Sequence, residues 1–328
     1  MRAFEISLVD TVVHTRVCEL EPAPAAPEDI LVRVEHSGVN FKDAMVADAT
    51  SRVRRSARLI GGVDAAGVVL ESTHERFPAG TRVAVHGGDL GVARDGGFAE
   101  LVYAPARLLS VLPEALSTRQ AMIAGTAGLS AMASVLALED HGLEPGPVLV
   151  TGATGGVGSF AVALLSARGH SVSASTGTAQ AADWLGGLGA AEVIGRHDIA
   201  DRPERVLASE RWGGAIDCVG GDTLAQVIRS LRYGAAVAAS GLVAGADLTT
   251  TVYPFITRAV ALLGIDVVDM RAEDRDRTWL ALGASSARLD FETLLDREIG
   301  LDGLSDALED IRRGATRGRI LVTPAPGA

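Results

Sequence analysis

The sequence predicts an α/β protein with two domains, a β-rich domain and a doubly wound parallel sheet. A chain of 328 residues is longer than one hydrophobic core usually holds. From about Ser117 onwards, apolar strand-like runs alternate with helical stretches, the pattern of a parallel sheet covered on both faces. Before that point, Gly, Pro and Asp separate short apolar runs, which predict strands joined by turns. These runs are Ile30–Val34, Gly67–Glu71, Arg82–Val85 and Phe98–Val102.

Composition argues against several classes of protein. Hydrophobic residues make up 48% of the chain and charged residues 22%, as in an ordinary globular protein. A net charge of −11 argues against a nucleic-acid binder, which must neutralise phosphates. We expect no membrane span, because we find no uninterrupted apolar run of the ~20 residues that a span needs. Asp10, His14 and Arg16 interrupt any secretory signal, so the expected location is the cytoplasm.

The elements of the predicted parallel sheet follow one another along the chain. They are a helix at Thr118–Leu138, a strand at Val148–Thr151, a helix at Val157–Arg168, a strand at Ser171–Ser175, a helix at Ala179–Leu188, strands at Val193–Ile194 and Ala215–Val219, a helix at Leu224–Leu231 and a strand at Ala235–Ser240. After about Tyr253 the pattern predicts a further strand, a charged helical stretch and a last strand at Ile320–Val322.

The segment "VLVTGATGGVGSFAVAL" predicts a binding site for a dinucleotide. It reads as a strand, a glycine-rich turn and a helix, and glycines there allow the backbone to approach a pyrophosphate at the helix N-terminus. The alternative is a glycine-rich turn that only packs the helix on the strand. The residues expected to hold the phosphates are Gly152, Thr154, Gly155, Gly156, Val157 and Gly158.

The end of the second strand of this unit indicates which nicotinamide cofactor binds. A site for NAD usually has Asp or Glu there to bind the ribose diol. Here the strand ends in "SASTGT", with no acid, and Ser175, Thr176 and Thr178 could donate to a 2′-phosphate that Arg196 could also reach. We therefore favour NADPH, and the alternative is a plain polar turn.

The stretch "GVNFKDAM" places an amide, a cation and a carboxylate within four positions. Asn40, Lys42 and Asp43 are the candidate catalytic residues. Three interpretations remain open: a catalytic loop, a metal site that has lost its ligands, or a polar turn. In the last of these, Asp43 would cap a following helix and Lys42 would be its ion-pair partner.

Several segments resemble one protein family over nearly the whole chain. They are "VNFKDAM", "AMIAGTAGLSAMASVLALEDHG", "VTGATGGVGSFAVALL", "GAIDCVGGDTLAQV", "YGAAVAASGL" and "PFITRAVALLGID". They resemble the medium-chain dehydrogenase/reductase superfamily, in its zinc-independent quinone oxidoreductase branch of the acrylyl-CoA reductase type. The resemblance implies a GroES-like catalytic domain at residues 1–117, a Rossmann domain at 118–255, and the last Rossmann strand with a return to the catalytic domain at 256–328.

The resemblance also implies that the metal site is gone. Zinc-dependent members have Cys where this chain has Asn40, and Gly-His-Glu where it has Gly62, Val63 and Asp64. Asn is rarely a zinc ligand and Val cannot be one. We therefore expect no metal.

Further residue roles come from the same resemblance. It places six residues at the cofactor: Thr126, Ser240, Gly241 and Leu242 close to the nicotinamide, Ile256 beside it, and Arg319 as a further contact. Asn40 and Asp43 would line the cleft where the substrate meets the nicotinamide.

The chain departs from the family at four places. One is the replacement of prolines near the Gly-His-Glu position by Arg58 and Gly61, and the other three bear more directly on the site. Phe41 stands where the family has Tyr, Thr178 where it has Arg, and the loop Val85–Gly97 lacks the tryptophans expected there. The first of these three changes removes a phenolic proton donor. The third predicts a substrate pocket that is wider or differently shaped.

The expected function is reduction of an activated carbon–carbon double bond by NADPH. The substrate would be an enoyl thioester such as acrylyl-CoA or a polyketide-like acyl chain, with Asn40 or backbone N–H groups donating to the enolate. The alternatives are a quinone or alkenal reductase and a cofactor-binding protein without turnover. The basic run Ser51–Arg58 is either a solvated loop or a contact for CoA phosphates or a carrier protein. We expect a homodimer joined at the strand Val260–Val268.

Overall fold

The computed structural model describes residues 1–22, 26–200 and 205–325, so positions 326–328 of the predicted return segment lie outside the described residues. The strands are β1 (Arg2–Val9), β2 (Val12–Glu19), β3 (Asp29–Val39), β4 (Arg58–Ile60), β5 (Asp64–Glu71), β6 (Arg82–His86), β7 (Leu101–Pro105), β8 (Leu109–Val111), β9 (Val148–Thr151), β10 (Val172–Thr176), β11 (Glu192–Gly195), β12 (Gly214–Asp217), β13 (Ala236–Ala239), β14 (Ala261–Gly264), β15 (Leu295–Ile299) and β16 (Arg319–Val322). The α-helices are α1 (Phe41–Val46), α2 (Thr118–His141), α3 (Gly156–Ala167), α4 (Ala182–Gly187), α5 (Gly221–Ser230), α6 (Tyr253–Arg258), α7 (Ala272–Ser285), α8 (Phe291–Leu294) and α9 (Leu304–Arg312).

The described residues form two compact units. Unit 1 comprises Met1–Thr126, Val267–Ser286 and Leu295–Ala328, and unit 2 comprises Ala127–Asp266 and Ala287–Leu294. The predicted boundary before residue 118 therefore lies nine positions earlier than the boundary of unit 1. Helix α2 does begin at Thr118, but its first residues are bonded to the strands of unit 1, as the site shows below.

Unit 1 is β-rich, as predicted, and contains two sheets. One has the strand order β2-β1-β4 and the other β15-β16-β3-β5-β6-β8, with β7 paired to β3. Phe4 and Phe98 pack edge to face between them, with ring centroids 6.2 Å apart, in a core of small aliphatic side chains. This unit confirms the GroES-like domain of the expected α/β fold.

Two strand predictions in unit 1 need correction. Strands β1, β2, β4, β8 and β15 were not expected. Strand β2, for example, alternates exposed and half-buried side chains and contains several polar residues. The predicted strand Phe98–Val102 is displaced, since β7 runs from Leu101 to Pro105. Phe98 and Ala99 instead contact β1, where Phe4 N–H donates to the Phe98 carbonyl at 2.8 Å.

Unit 2 is a Rossmann domain with a six-stranded parallel sheet. Its strand order is β11-β10-β9-β12-β13-β14, and each neighbouring pair is parallel. The order reverses beside β9, so the β9–α3 turn lies at the topological switch point where such sheets bind ligands. The strand predicted at Val148–Thr151 is confirmed to the residue.

Helix α2 contradicts the expectation that no apolar segment is long enough to span a membrane. By length and composition it could cross a membrane, but 83% of its apolar window is buried inside the protein. A helix this buried is a core helix.

Strand β14 forms an edge of the parallel sheet within the described residues. Ala261 N–H donates to the Ala235 carbonyl at 3.1 Å and Ile265 N–H to the Ala239 carbonyl at 3.0 Å. Because N–H directions alternate along a strand, the Leu262 N–H points away from β13. A second copy could pair with this edge across a two-fold axis.

We predict that the protein is a homodimer joined at β14. Leu262→Pro removes an outward N–H without removing a bond to β13, so it should give a monomer in light scattering. Leu262→Ala keeps the N–H and should remain a dimer. A wild-type monomer at working concentration would contradict this prediction.

Candidate active site and cofactor cradle

Helix α1 begins directly after β3, and Asp43 fixes this junction. The Asp43 carboxylate accepts hydrogen bonds from Asn40 N–H at 2.8 Å and from Val63 N–H at 2.9 Å. The first bond satisfies a backbone donor at the helix N-terminus, as a capping residue does. Asp43 therefore has the capping role considered from the sequence, and its side chain is held beneath the surface at 1% exposure.

Burial changes the acidity of Asp43. Removal from water, and after it the nearby carboxylate of Asp64, raise the pKa of Asp43 to about 7, although its two backbone donors and Arg319 oppose the shift.

The side-chain amide of Asn40 is held in one orientation. Its nitrogen donates to Asp64 Oδ2 at 2.9 Å and to the Gly38 carbonyl at 3.1 Å. Both partners are acceptors, so the amide cannot be flipped and both of its N–H bonds are used inside the protein. Only the oxygen of Asn40 can serve a ligand. The expectation that Asn40 donates to an enolate therefore does not agree with this geometry, and its catalytic role stays a prediction.

Asp64 is the functional residue that sequence reasoning missed. Its fully buried carboxylate accepts from Gly38 N–H at 3.1 Å, from the Asn40 amide and from Thr126 N–H at 2.8 Å. From the sequence, Asp64 was recognised only as a position in the zinc-binding motif that this chain lacks. One signal was available, since it is the only polar residue in the run "LIGGVDAAGVVL".

A break in helix α2 makes the bond from Thr126 possible. Gly125 has φ 52° and ψ −157°, which is outside the helical region. A Cβ atom at Gly125 would lie 2.6 Å from Asp64 Oδ2 and 2.7 Å from Arg319 Nη2. Only glycine fits at this point.

Arg319, the first residue of β16, connects this strand to α2 and to β3. It donates from Nε to the Ile123 carbonyl at 3.0 Å and from Nη1 to the Val39 carbonyl at 2.9 Å, and the residue is 2% exposed. Its Nη2 is buried without a hydrogen-bond partner in the described part of the chain. The contact with a cofactor that we expected for Arg319 stays a prediction.

One pocket of unit 1 brings three of the predicted residues together. Its polar lining consists of Asn40, Lys42 and Thr126. Its other lining residues are Val63, Gly87, Gly88, Leu90, Val267 and Val268. Two of these lining residues, Gly87 and Gly88, belong to the loop Val85–Gly97. The predicted difference in pocket shape from the family stays a prediction.

Lys42 is the only cationic residue in this lining. Its ammonium makes no hydrogen bond or ion pair with any residue that the structure describes, so it is not the ion-pair partner of Asp43. It is also the only lysine of the chain, since arginine supplies the other 29 of the 30 basic residues. An ammonium is more compact than a guanidinium and can turn its three donors freely.

The positions of the family's metal ligands carry no ligand set. The amide nitrogen of Asn40 is already bonded, Val63 is apolar, and no group of three His, Cys, Asp or Glu within residues 1–22, 26–200 and 205–325 could hold a metal ion. Absence of bound zinc in the protein stays a prediction.

The glycine-rich turn of unit 2 has the shape that a pyrophosphate requires. Gly152 has φ 60°, and α3 starts at Gly156 directly after the turn. A Cβ at Gly158 would clash with the Gly152 carbonyl, so the helix packs against the turn only because that residue is glycine. Thr154, Gly155 and Val157 are accessible at the helix N-terminus. A dinucleotide fits this cradle.

The end of β10 places an arginine where a 2′-phosphate is expected. The guanidinium of Arg196 occupies the space that a Cβ of Gly177 would fill, next to the exposed Thr178. Thr178 N–H donates to the Thr176 hydroxyl at 3.0 Å and so shapes the turn. Ser175 is 2% exposed and faces the interior of unit 2. The contacts of these residues with a cofactor stay predictions.

The remaining predicted cofactor residues of unit 2 follow β13. Gly241 packs so closely on the Cys218 carbonyl that a Cβ would overlap it. Ser240 N–H donates to the Asp217 carbonyl at 3.0 Å. Leu242 is 58% exposed and Ile256 is 73% exposed, so both side chains are accessible to a ligand. Their contact with a cofactor stays a prediction.

Comparison with known proteins identifies relatives along the whole chain. The model of the alcohol dehydrogenase GroES-like domain matches residues 26–114, and that of the zinc-binding dehydrogenases matches residues 156–281. The putative quinone oxidoreductase YhfP of Bacillus subtilis is 43% identical over 95% of both chains. Its crystal structure with NAD bound covers 98% of both chains with a TM-score of 0.95 at 41% identity.

Two further relatives carry related descriptions. The acrylyl-CoA reductase AcuI of Ruegeria pomeroyi is 43% identical over 90% of this chain and 89% of its own. The yhdH oxidoreductase of Salmonella enterica, solved in complex with NADP, has a TM-score of 0.94 at 38% identity and covers 99% of this chain and 100% of its own.

We predict that Asp43 makes stability depend on pH between about 4 and 7. Its folded pKa of about 7 lies above the ~3.9 of an unfolded aspartate, so the folded protein keeps a proton that the unfolded chain releases. The contribution of this proton to the stability of the folded protein is complete below the unfolded pKa and is lost as the pH rises through the folded pKa. Urea unfolding at pH 5 to 8 should show that the free energy of unfolding of the wild type falls with pH. In Asp43→Asn this slope should be smaller, by up to the equivalent of about one proton.

Asp10→Asn, at an exposed turn, is the control and should keep the slope. Equal slopes for the wild type and Asp43→Asn would show that Asp43 does not titrate in this range.

We predict that Arg196 selects NADPH over NADH. Arg196→Gln should weaken NADPH binding about tenfold or more, because a hydrogen bond to a charged group contributes ~1.5–3 kcal/mol, and should leave NADH binding unchanged. Fluorescence titration measures both. Arg232→Gln, on another face of unit 2, is the control, and equal loss of both cofactors in Arg196→Gln would contradict the assignment.

Proposed function

Because the chain belongs to the medium-chain dehydrogenase/reductase family, in the branch of the quinone oxidoreductase YhfP and the acrylyl-CoA reductase AcuI, we propose that it reduces an activated carbon–carbon double bond with NADPH. The substrate class is an α,β-unsaturated thioester such as acrylyl-CoA. The observation that carries the proposal is the pocket of unit 1, where an ammonium with no partner among the described residues lies with apolar and amide groups.

The cofactor assignment rests on the cradle of unit 2 and on Arg196. When bound, NADPH supplies a hydride to the β-carbon of the alkene. Relatives have been solved with NADP and with NAD, so the fold alone does not select between them. The guanidinium at Gly177 favours a cofactor with a 2′-phosphate.

Lys42 has the chemistry that an enoyl thioester needs. Addition at the β-carbon moves an electron pair onto the thioester oxygen, and a cation beside that oxygen stabilises the negative charge. The Lys42 ammonium lines the pocket and has no competing partner in the described residues. Both N–H bonds of the Asn40 amide are already used, so we assign the donor role to Lys42. The side-chain oxygen of Asn40 remains as a fixed acceptor.

The proton for the α-carbon comes from water in this proposal. Phe41 has no hydroxyl, and its side chain is exposed on α1. Asp43 and Asp64 are buried beneath the pocket and bonded to N–H groups. Reduction in deuterated water should place deuterium at the α-carbon of the product and the cofactor hydride at the β-carbon, which identifies the position of each transfer.

A quinone is the second candidate acceptor. The relationship to the quinone oxidoreductase YhfP favours it. A cofactor-binding protein without turnover is the remaining alternative. We place the protein in the cytoplasm, acting on a small molecule without nucleic acid or membrane.

We predict that Lys42→Met lowers kcat for acrylyl-CoA about 10²-fold, the usual cost of removing one oxyanion donor. NADPH affinity should not change, because Lys42 is not part of the cradle. NADPH oxidation with acrylyl-CoA, crotonyl-CoA and a benzoquinone identifies the acceptor and measures the loss.

Lys42→Arg keeps the charge in a bulkier group and should recover part of the rate. Undiminished turnover in Lys42→Met would overturn the role of Lys42. Reduction of the benzoquinone without reduction of either thioester would overturn the proposed substrate class.

A further inference from the structure

A loop of four arginines is bonded to two segments that continue into the pocket lining of unit 1. Residues 51–58, which we call the arginine loop, contain Arg52, Arg54, Arg55 and Arg58 and no acidic residue. The chain as a whole has a net charge of −11, so this loop is a local exception. The proposed function does not use it.

The arginine loop is anchored at several points. Arg54 Nη1 donates to the Val46 carbonyl at 2.9 Å, and Arg58 Nε donates to Glu5 Oε2 at 2.6 Å. Arg55 N–H donates to the Val92 carbonyl at 2.9 Å. Val53 packs against the hydrophobic core of unit 1. Two of the four guanidinium groups are thus used to hold the loop in place.

The other two guanidinium groups remain available. Arg52 and Arg55 are exposed, and neither side chain makes a hydrogen bond or ion pair with a residue that the structure describes. Guanidinium groups bind phosphate through paired N–H donors, and an anchored backbone reduces the entropy lost on binding. The pair is therefore a candidate site for a phosphate group.

The anchors of the loop are close to the walls of the pocket. Val46 lies on α1 four residues after Lys42, a rise of about 6 Å. Val92 is two residues from the pocket residue Leu90, so their α-carbons are at most about 7.6 Å apart. A pantetheine arm has about thirteen chain atoms between its sulfur and the first phosphate. That is the length of about four extended residues, or ~14 Å, so a thioester in the pocket can bring its phosphates to the loop.

We propose that Arg52 and Arg55 bind the phosphates of the coenzyme A portion of the substrate. The inference rests on the proposed function, because it assumes a thioester in the pocket. Coenzyme A fits better than a carrier protein, since a chain with net charge −11 repels an acidic macromolecule more than it repels a small molecule.

The test compares two thioesters that differ only in phosphates and nucleotide. For the double variant Arg52→Gln/Arg55→Gln, KM for acrylyl-CoA should rise about tenfold or more while kcat stays unchanged. KM for acrylyl-pantetheine should not change. Added salt should raise the wild-type KM for acrylyl-CoA and affect the double variant less, because salt screens the attraction.

Arg33→Gln/Arg76→Gln is the matched control, since both arginines belong to exposed ion pairs elsewhere on unit 1. It should leave both KM values unchanged. Equal effects of the two double variants, or equal wild-type KM values for the two thioesters, would overturn the inference. Better turnover of an acrylyl carrier protein than of acrylyl-CoA would also overturn it.

Calorimetry with free coenzyme A separates this inference from the proposed function. Binding to the NADP-loaded protein needs no turnover, and the Arg52→Gln/Arg55→Gln variant should bind more weakly than the wild type. If no thioester is reduced but this difference is seen, the proposed function fails and the phosphate site stands. If both proteins bind coenzyme A equally, the phosphate site is wrong whatever the enzyme reduces.

Discussion

Asp64 carries a buried carboxylate that two separate segments of unit 1 satisfy with three hydrogen bonds. The donors are Gly38 N–H at the end of β3, the Asn40 amide before α1 and Thr126 N–H in α2. A buried charge without partners costs several kcal/mol, so these segments must stay together. In an unbroken helix Thr126 N–H would bond to the carbonyl four residues earlier. The break at Gly125 redirects it to Asp64, and Arg319 takes the Ile123 carbonyl.

The same network determines what the pocket can offer a ligand. Asp43 uses its carboxylate on two backbone N–H groups, and Asn40 uses both amide protons on Asp64 and Gly38. Groups held this firmly keep their geometry without reorganisation, which is what stabilisation of a developing charge requires. Lys42 stands outside the network, and the described residues give its ammonium no partner. The proposed role of Lys42 at an enolate follows from this difference, because acceptors repel a developing negative charge and a cation attracts it.

The two cofactors found among the relatives show where selectivity must lie. The proteins solved with NAD and with NADP have nearly the same fold as this chain. The predicted pyrophosphate site is the turn after β9, and the pyrophosphate is common to both cofactors. We therefore expect selectivity to depend on the end of β10, where Gly177 leaves the space that the Arg196 guanidinium fills. This is why the loss of the family's arginine at Thr178 does not by itself remove a cation from the site.

The sequence alone determined the features that depend on residues adjacent to one another in the chain. The strand Val148–Thr151, the glycine turn after it and helix α3 follow from local apolar pattern and backbone freedom, and all three are found as predicted. Only the tertiary structure decided the orientation of Asn40, the role of Asp64 and the position of Arg196. Asn40 was expected to donate, and only its contact with Asp64, 24 residues away, shows that its protons are already used. Such contacts join residues far apart in the chain, and no local pattern encodes which donor meets which acceptor once the strands have paired.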